Sequence, residues 1–425
     1  MKICLFGYAW NPENQPDAYM VETMSAFADL GVSVDIYLGS QFTKGGGIYG
    51  LNPKLAKATV TEHIRAQAYD MAVSFNNSML LPEVIAAING PVVTMIVDEP
   101  EHLFNYLLGG LYDVFRYDDI QVVALSSALE RRLLANVPGI ESRLHFRSPV
   151  TRPDLAADPA IAPKHNIAWV ASMVGDLNLD NFFDFAATTP DYYALTKLCL
   201  EIVERDGDLG VVKAGQQPQA AKLIESLPWS FDFFEMQMQN IATNRQRLSV
   251  VERLGPHGLA LYGNKNWRRL MSSSTAVLEA FQPSAPIVSH GDLRQIYDAA
   301  KIAINVPQRH VSQEAIQYRV VDIMASNALL ITHRNTPSDL YRIFGEDCPV
   351  PTYGDLDELE RLCVHYLAHE EERLALVKAC NALVRQGFSF HDRALDLFGL
   401  GGLAPPEKTG EPPRLRWIDL RNFET

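Results

Sequence analysis

Cysteine, long apolar runs and positive charge are all in short supply in this chain, and each shortage removes a class of protein. The five cysteines, Cys4, Cys199, Cys348, Cys363 and Cys380, are odd in number and far apart. None has metal-ligand spacing, so neither a zinc module nor a disulfide framework is expected, and a reduced, cytoplasmic setting fits. No window of about 20 apolar residues exists, which argues against a membrane-spanning helix. The opening stretch "MKICLFGYAWNPE" reads as a short strand; it lacks the apolar run and small-residue cleavage site of a signal peptide. Acidic residues outnumber basic ones 51 to 37, for a formal net charge of −14. That balance disfavours nucleic acid or an anionic bilayer as the main partner. A glycine-rich dinucleotide fingerprint is missing after the first apolar run, and no short-period repeat is present.

What is present suits an α/β protein of 425 residues with room for two sizeable cores. "KICLF", "VSVDIYL", "MAVSF", "PVVTMIV" and "QVVAL" are short Val- and Ile-rich runs separated by helical patterns. Such runs predict a parallel sheet covered on both faces. The first of these helices carries Met20, Val21, Met24, Phe27 and Ala28 on one face and stops at Gly31. Residues 149–164 hold four prolines and little periodicity, as a linker would. A second set of strands follows at "NIAWVASMVG", "GLALYG", "PIVS", "KIAIN" and "ALLITH", with helical stretches over much of 176–254 and a long helical run after Asp355. The expected layout is two Rossmann-like domains facing across a cleft: residues 1–152, a linker at 153–165, residues 166–398, and a Pro/Gly-rich tail at 399–425. Ligands of such sheets sit at the carboxyl ends of the strands.

The segment "SQEAIQYRVVDIMASNALLITH" carries more charge than sheet packing needs. Ile316, Val320, Ile323 and Met324 supply the apolar stripe; Glu314, Arg319 and Asp322 are surplus to it. A helix beginning near Glu314 would offer free N–H groups to a phosphate, with Arg309 and His310 adding charge from the loop before it. Glu314 and Asp322 would then lie roughly 12 Å apart along the helix. That span suits gripping a nucleotide sugar at both ends, since a carboxylate accepts from a pair of hydroxyls.

Ser312-x-Glu314, seven residues, then Asp322 and "MASNALLIT" resembles the Ser-x-x-Glu-x7-Glu motif of GT-B glycosyltransferases, one residue short before the first Glu. More closely, "GLALYGNKNW", "LRQIYDAAKIAIN", "YRVVDIMASNALLITH" and "FHDRALDLF" look like the C-terminal half of CgeB-like, spore-maturation-type glycosyltransferases, over roughly residues 244–398. The N-terminal half resembles that family only loosely, through "VDEPEHLF". The resemblance implies a GT-B enzyme moving a sugar from a nucleotide diphosphate sugar to an acceptor hydroxyl on a glycan, protein or small molecule. By that resemblance the C-terminal domain takes the donor and the N-terminal domain the acceptor. Asp322 would bind the ribose, Arg319 would be the family's arginine three residues earlier, Asn305 would close the strand before the donor loop, and Gly263 and Trp267 would be the "YG…W" element. Two positions depart from the pattern: Asp322 where Glu is usual, and Asn327 where Gly is usual.

On the acceptor side, Asp98, Glu99 and His102 follow a strand's carboxyl end. An inverting transferase needs a base for the acceptor hydroxyl, and Asp98 is the first choice, His102 the second; Asp98 also suits a helix N-cap. Gly7, Asp17 and Tyr19 open the end of the first strand, where Asp17 also reads as a helix start. With no Asp-x-Asp at a strand end, no metal is expected as cofactor, and Lys265, Arg268 or Arg294 are candidates to meet the phosphate charge. The Glu314–Asp322 pair leans towards retention, a base at Asp98 towards inversion, and the choice stays open, as does the oligomeric state. A non-catalytic nucleotide-sugar binding protein and a GT-B-shaped UDP-sugar epimerase are the alternatives.

Overall fold

The Val- and Ile-rich runs become the strands of two parallel sheets in the computed structural model, which describes residues 1–8, 17–42, 52, 54–97, 113–153, 161–174, 187–226, 231–283, 287, 289–308, 314–407 and 412–424. The N-terminal sheet contains β1 (Lys2–Gly7), β2 (Ser33–Leu38), β3 (Met71–Phe75), β4 (Val92–Ile96), β5 (Ile120–Ala124) and β6 (Leu144–Phe146). The C-terminal sheet contains β7 (His165–Val170), β8 (Leu259–Tyr262), β9 (Ala300–Asn305), β10 (Leu329–His333) and β11 (Thr352–Tyr353). A last strand, β12 (Leu415–Ile418), returns to the first sheet. The orders are β12-β2-β1-β3-β4-β5-β6 and β11-β10-β9-β7-β8. Register pairs apolar residues across each sheet: Ile3 lies opposite Val34 and Met71, and Ile302 opposite Ile167 and Leu329. Winding changes direction between β1 and β3 and between β7 and β9, so each domain has its crevice there.

Three sequence expectations change. "PIVS" forms no strand among its described residues; Ser289 instead caps the helix His290–Asp298 in a capping box with Asp292. The helix expected from Glu314 starts at Tyr318 and ends at Met324. The C-terminal region does not stay with the second domain. Its helix Phe390–Leu400, capped by Ser389, packs on the helix Ala18–Asp29, with the Phe398 and Phe27 rings edge-on at 5.2 Å. Ala394, Leu397 and Phe398 are buried with Val73, Val93 and Met24 in one core. The chain therefore crosses back to the first sheet before position 398, and the Pro/Gly-rich tail carries the strand that closes that sheet's edge.

That edge is fastened by charge. Arg416 on β12 donates to both oxygens of Asp35 on β2 at 2.6 and 2.5 Å, and Lys2 lies 3.0 Å from the same carboxylate. Tyr69 also donates to Asp35, at 2.7 Å. Burial works to raise the Asp35 carboxyl, but bonds from Arg416, Tyr69 and Lys2 outweigh it and hold the group below its usual range. Removing one partner of a buried pair strands the other, although Arg416 is itself half exposed. Arg416→Ala should therefore lower unfolding free energy by about 2 kcal/mol, measured by urea titration, with the loss growing smaller as pH falls and Asp35 protonates.

Between β7 and β8 lies a helical insertion. Its helices Pro190–Asp206 and Phe231–Leu254 share a small core of Leu195, Cys199, Ile202, Phe234 and Met238. The second helix runs on past that core, so Val250, Val251 and Leu254 pack against the C-terminal sheet. This extension brings Arg247 to the end of β7.

Candidate functional site

Four side chains hold the segment after β7. Trp267 Nε1 donates to the Ala171 carbonyl at 2.7 Å, and Arg247 donates to the Ser172 carbonyl. Asn264 accepts from the Met173 N–H at 3.1 Å and donates to its carbonyl at 2.9 Å; Asn244 does the same for Val174 at 2.9 and 2.6 Å. A Cβ at Gly263 would sit 1.9 Å from the Ala171 oxygen, so only glycine fits. Trp267 is fully buried, its ring 6.3 Å from Trp169. Both residues of the "YG…W" element thus build the rim of the sheet from within.

Arg247 is the unusual member of this group. It is 2% exposed, and its Nε has no hydrogen-bond partner. Burial, and then the charge of nearby Arg319, push its guanidinium down to about 9. Among the described residues no carboxylate pairs with Arg247, and none lies within ion-pair distance of Arg319. Arg247 thus lies near a second guanidinium, Arg319, which bonds Tyr297 and whose charge also acts on Asp322. Lys265 and Arg268 are exposed on the turn after β8. Arg294 is taken by Asp298 at 2.8 Å, whose other oxygen accepts from the Asn327 N–H.

Asp322 sits on the helix Tyr318–Met324, 5% exposed, at the seam between the domains. One of its oxygens accepts from Thr151 Oγ1 at 2.7 Å, the other from the Tyr19 hydroxyl at 3.0 Å. His290 Nδ1 lies 3.5 Å from the Thr151-bound oxygen. Burial raises the Asp322 carboxyl to about 7; the hydroxyls of Thr151 and Tyr19 and the charge of Arg319 oppose that rise. Burial, and then Arg152, press His290 down to about 4, so its ring is neutral at pH 7. A small cleft beside the carboxylate is lined by Arg152, His290, Leu293, Arg294 and Tyr297. Asn305 ends β9 nearby, its Nδ2 donating to Thr332 at 3.0 Å and its Oδ1 buried without a partner.

Glu314 lies outside the helix, in a turn held from both domains. Arg131 donates to its two oxygens at 2.7 and 2.5 Å, and its carbonyl accepts from the Asp339 N–H at 2.9 Å. The seam continues from there. The buried carboxylate of Asp339 accepts from the Ser127 N–H at 3.0 Å and from its hydroxyl, and Arg342 pairs with Glu130 at 2.6 Å. Ser126 caps the helix Ser127–Asn136, which carries Ser127 and Glu130, by accepting from the Leu129 N–H. Glu314 and Asp322 are therefore not two grips on one helix face: Glu314 serves the seam.

On the N-terminal side, Asp17 caps the first helix by accepting from the Tyr19 N–H at 2.8 Å. A Cβ at Gly7 would lie 2.6 Å from Met20 Sδ, so the glycine lets that helix approach. Asp98, Glu99, His102 and Arg309 lie outside the described residues, as does His310. Sequence reading missed the turn after β3. Asn76, Asn77 and Met79 there take left-handed backbone angles and are buried. Asn76 accepts from the Val97 N–H at 2.8 Å and Asn77 from Thr94 Oγ1 at 2.9 Å, which ties this turn to the strand leading into residue 98. The paired asparagines were the available signal, since Asn tolerates that conformation.

Residues 245–399, which include Arg247, Arg319 and Asp322, match the family model described as "Glycosyl transferase-like". Most of the chain, in both domains, aligns with GT-B structures. Anabaena HepE in complex with UDP-glucose is 10% identical, with 94% of this chain and 99% of that one aligned at a TM-score of 0.56. HepE with UDP is 11% identical over 95% and 100% of the two chains, also at 0.56. The T4 phage β-glucosyltransferase is 11% identical over 95% and 100%, at 0.47. A comparison with curated proteins gave no match. The architecture is GT-B: two Rossmann-like α/β domains. Its C-terminal domain carries the glycosyltransferase-like segment, residues 245–399.

Proposed function

We propose that the protein moves a hexosyl group from a nucleoside-diphosphate sugar, with UDP-glucose as the first donor to test, to an acceptor hydroxyl without a metal ion. The carrying observation is the buried Arg247, its Nε without a partner, near Arg319 and the buried Asp322. Arg247 is a buried cation with no carboxylate partner among the described residues, which is costly, and Arg319 beside it is partly buried. A diphosphate between them would remove that cost and leave Asp322 to accept from a ribose diol. The two guanidinium groups then stabilise the leaving diphosphate as the glycosidic bond breaks. In this reading the N-terminal domain takes the acceptor, with Asp98 as base. Residues 1–152 and 166–389 form the two working domains, and the returning C-terminal helix clasps them. Five unpaired cysteines favour a cytoplasmic setting, and the motifs over 244–398 favour the CgeB-like type.

The test is release of free nucleotide from UDP-, GDP- and dTDP-sugars, with and without EDTA. Slow hydrolysis of one donor that survives EDTA is the expected result. An isomerised sugar would mean an epimerase, and binding without any turnover would leave a sugar-nucleotide binding protein.

A further inference from the structure

Asp322 is the carboxylate assigned above to the ribose, yet both its oxygens are already occupied. Each accepts one hydroxyl, from Tyr19 at 3.0 Å and from Thr151 at 2.7 Å. Two hydroxyl donors, one per carboxylate oxygen, is also what the 2′,3′-diol of a nucleotide ribose offers. Both donors come from the N-terminal side of the seam: Tyr19 from the first turn of the helix Ala18–Asp29, Thr151 from the chain just after β6. We infer that Tyr19 and Thr151 are internal substitutes for the ribose diol, so that the unliganded protein is held shut by its own donor-site carboxylate and a nucleotide must displace them. The inference rests on the donor reading of Asp322.

The surroundings make the substitution a latch rather than a passing contact. The Tyr19 ring lies 4.1 Å from Tyr318 and 6.4 Å from Phe390, and meets His290 edge-on at 4.7 Å. The ring packs among these neighbours beside the carboxylate to which its hydroxyl donates. Thr151 is fixed through its backbone, its N–H donating to the Phe388 carbonyl at 2.8 Å. The helix Phe390–Leu400 packs on the helix Ala18–Asp29 and so holds the backbone that carries Tyr19. Apparent affinity for a ligand is its intrinsic affinity scaled by the competent fraction. Removing the substitutes should therefore tighten nucleotide binding, although the residues changed touch no nucleotide.

The experiment is calorimetric titration of UDP into wild type, Tyr19→Phe, Thr151→Val and the double variant, each checked by thermal melting. Phe keeps the ring packing and Val the shape, while both remove the hydroxyl. The expected result is tighter UDP binding in each single variant and about tenfold in the double. Small-angle scattering should show the unliganded double variant more open than wild type. If wild type binds UDP and the folded double variant binds it equally or more weakly, the latch is refuted and the donor reading stands. If UDP, GDP and ADP bind to none of the four proteins, the donor reading falls and the latch with it.

Discussion

Arg247→Met is expected to weaken UDP binding about 10- to 100-fold, while leaving the unliganded fold as stable as before or more so. The loss follows from charge-assisted bonds to phosphate, worth about 1.5–3 kcal/mol each. The unusual part is the second half. Arg247 is buried near another guanidinium, has no carboxylate partner among the described residues, and keeps an unpartnered Nε. A residue kept for folding would be paired; replacing an uncompensated buried charge with an apolar side chain of similar volume is often neutral or stabilising. Met gives up the bond to the Ser172 carbonyl, a loss of about 1 kcal/mol, which sets an upper limit to the gain. Calorimetry with UDP, UMP and uridine separates the roles: the defect should be large for UDP, smaller for UMP and absent for uridine. A variant that melts early and binds UDP normally would make Arg247 structural and remove the main support for the diphosphate site.

Arg247 also shows where sequence reading stops. In "NRQRLSVVERL" an arginine at helical spacing reads as a solvated position. Only the length of the helix Phe231–Leu254, running past its own small core onto the second sheet, buries it. The strands were legible because both faces of a parallel sheet are covered and the runs are nearly all Val, Ile and Leu. β12 was not, because it is an edge strand whose Leu415 and Trp417 remain exposed and whose anchor, Asp35, lies far away in the chain. The start of the helix at Tyr318 was misplaced for a similar reason. Local propensity allows helix from Glu314, but Arg131 and Asp339, contributed by distant segments, fix that residue in a turn. Asp322 was singled out from its motif alone. Its partners Tyr19 and Thr151 could not be, since no local pattern links residues so far apart.

Donor affinity should rise with pH between about 6 and 8 in wild type, and Asp322→Asn should both flatten that dependence and weaken UDP binding about 10- to 100-fold. In the shut form burial lifts the Asp322 carboxyl to about 7. A group with a raised pKa binds its proton more tightly shut than open, so the shut form is favoured below that value and loses ground as pH climbs through it. Gripping a diol calls for the ionised carboxylate, accepting at both oxygens. Binding at pH 6 must then release a proton, visible as a dependence of the calorimetric enthalpy on buffer ionisation. The other groups facing Asp322 do not mimic this window: His290 is pressed down to about 4, Tyr19 is raised above its usual range by burial, and Arg294 is held by Asp298. Asparagine keeps the shape, but its amide nitrogen donates where the second hydroxyl needs an acceptor. Unchanged UDP affinity in Asp322→Asn, or a pH dependence that persists in it, would move the ribose to another residue and with it the whole reading of the seam.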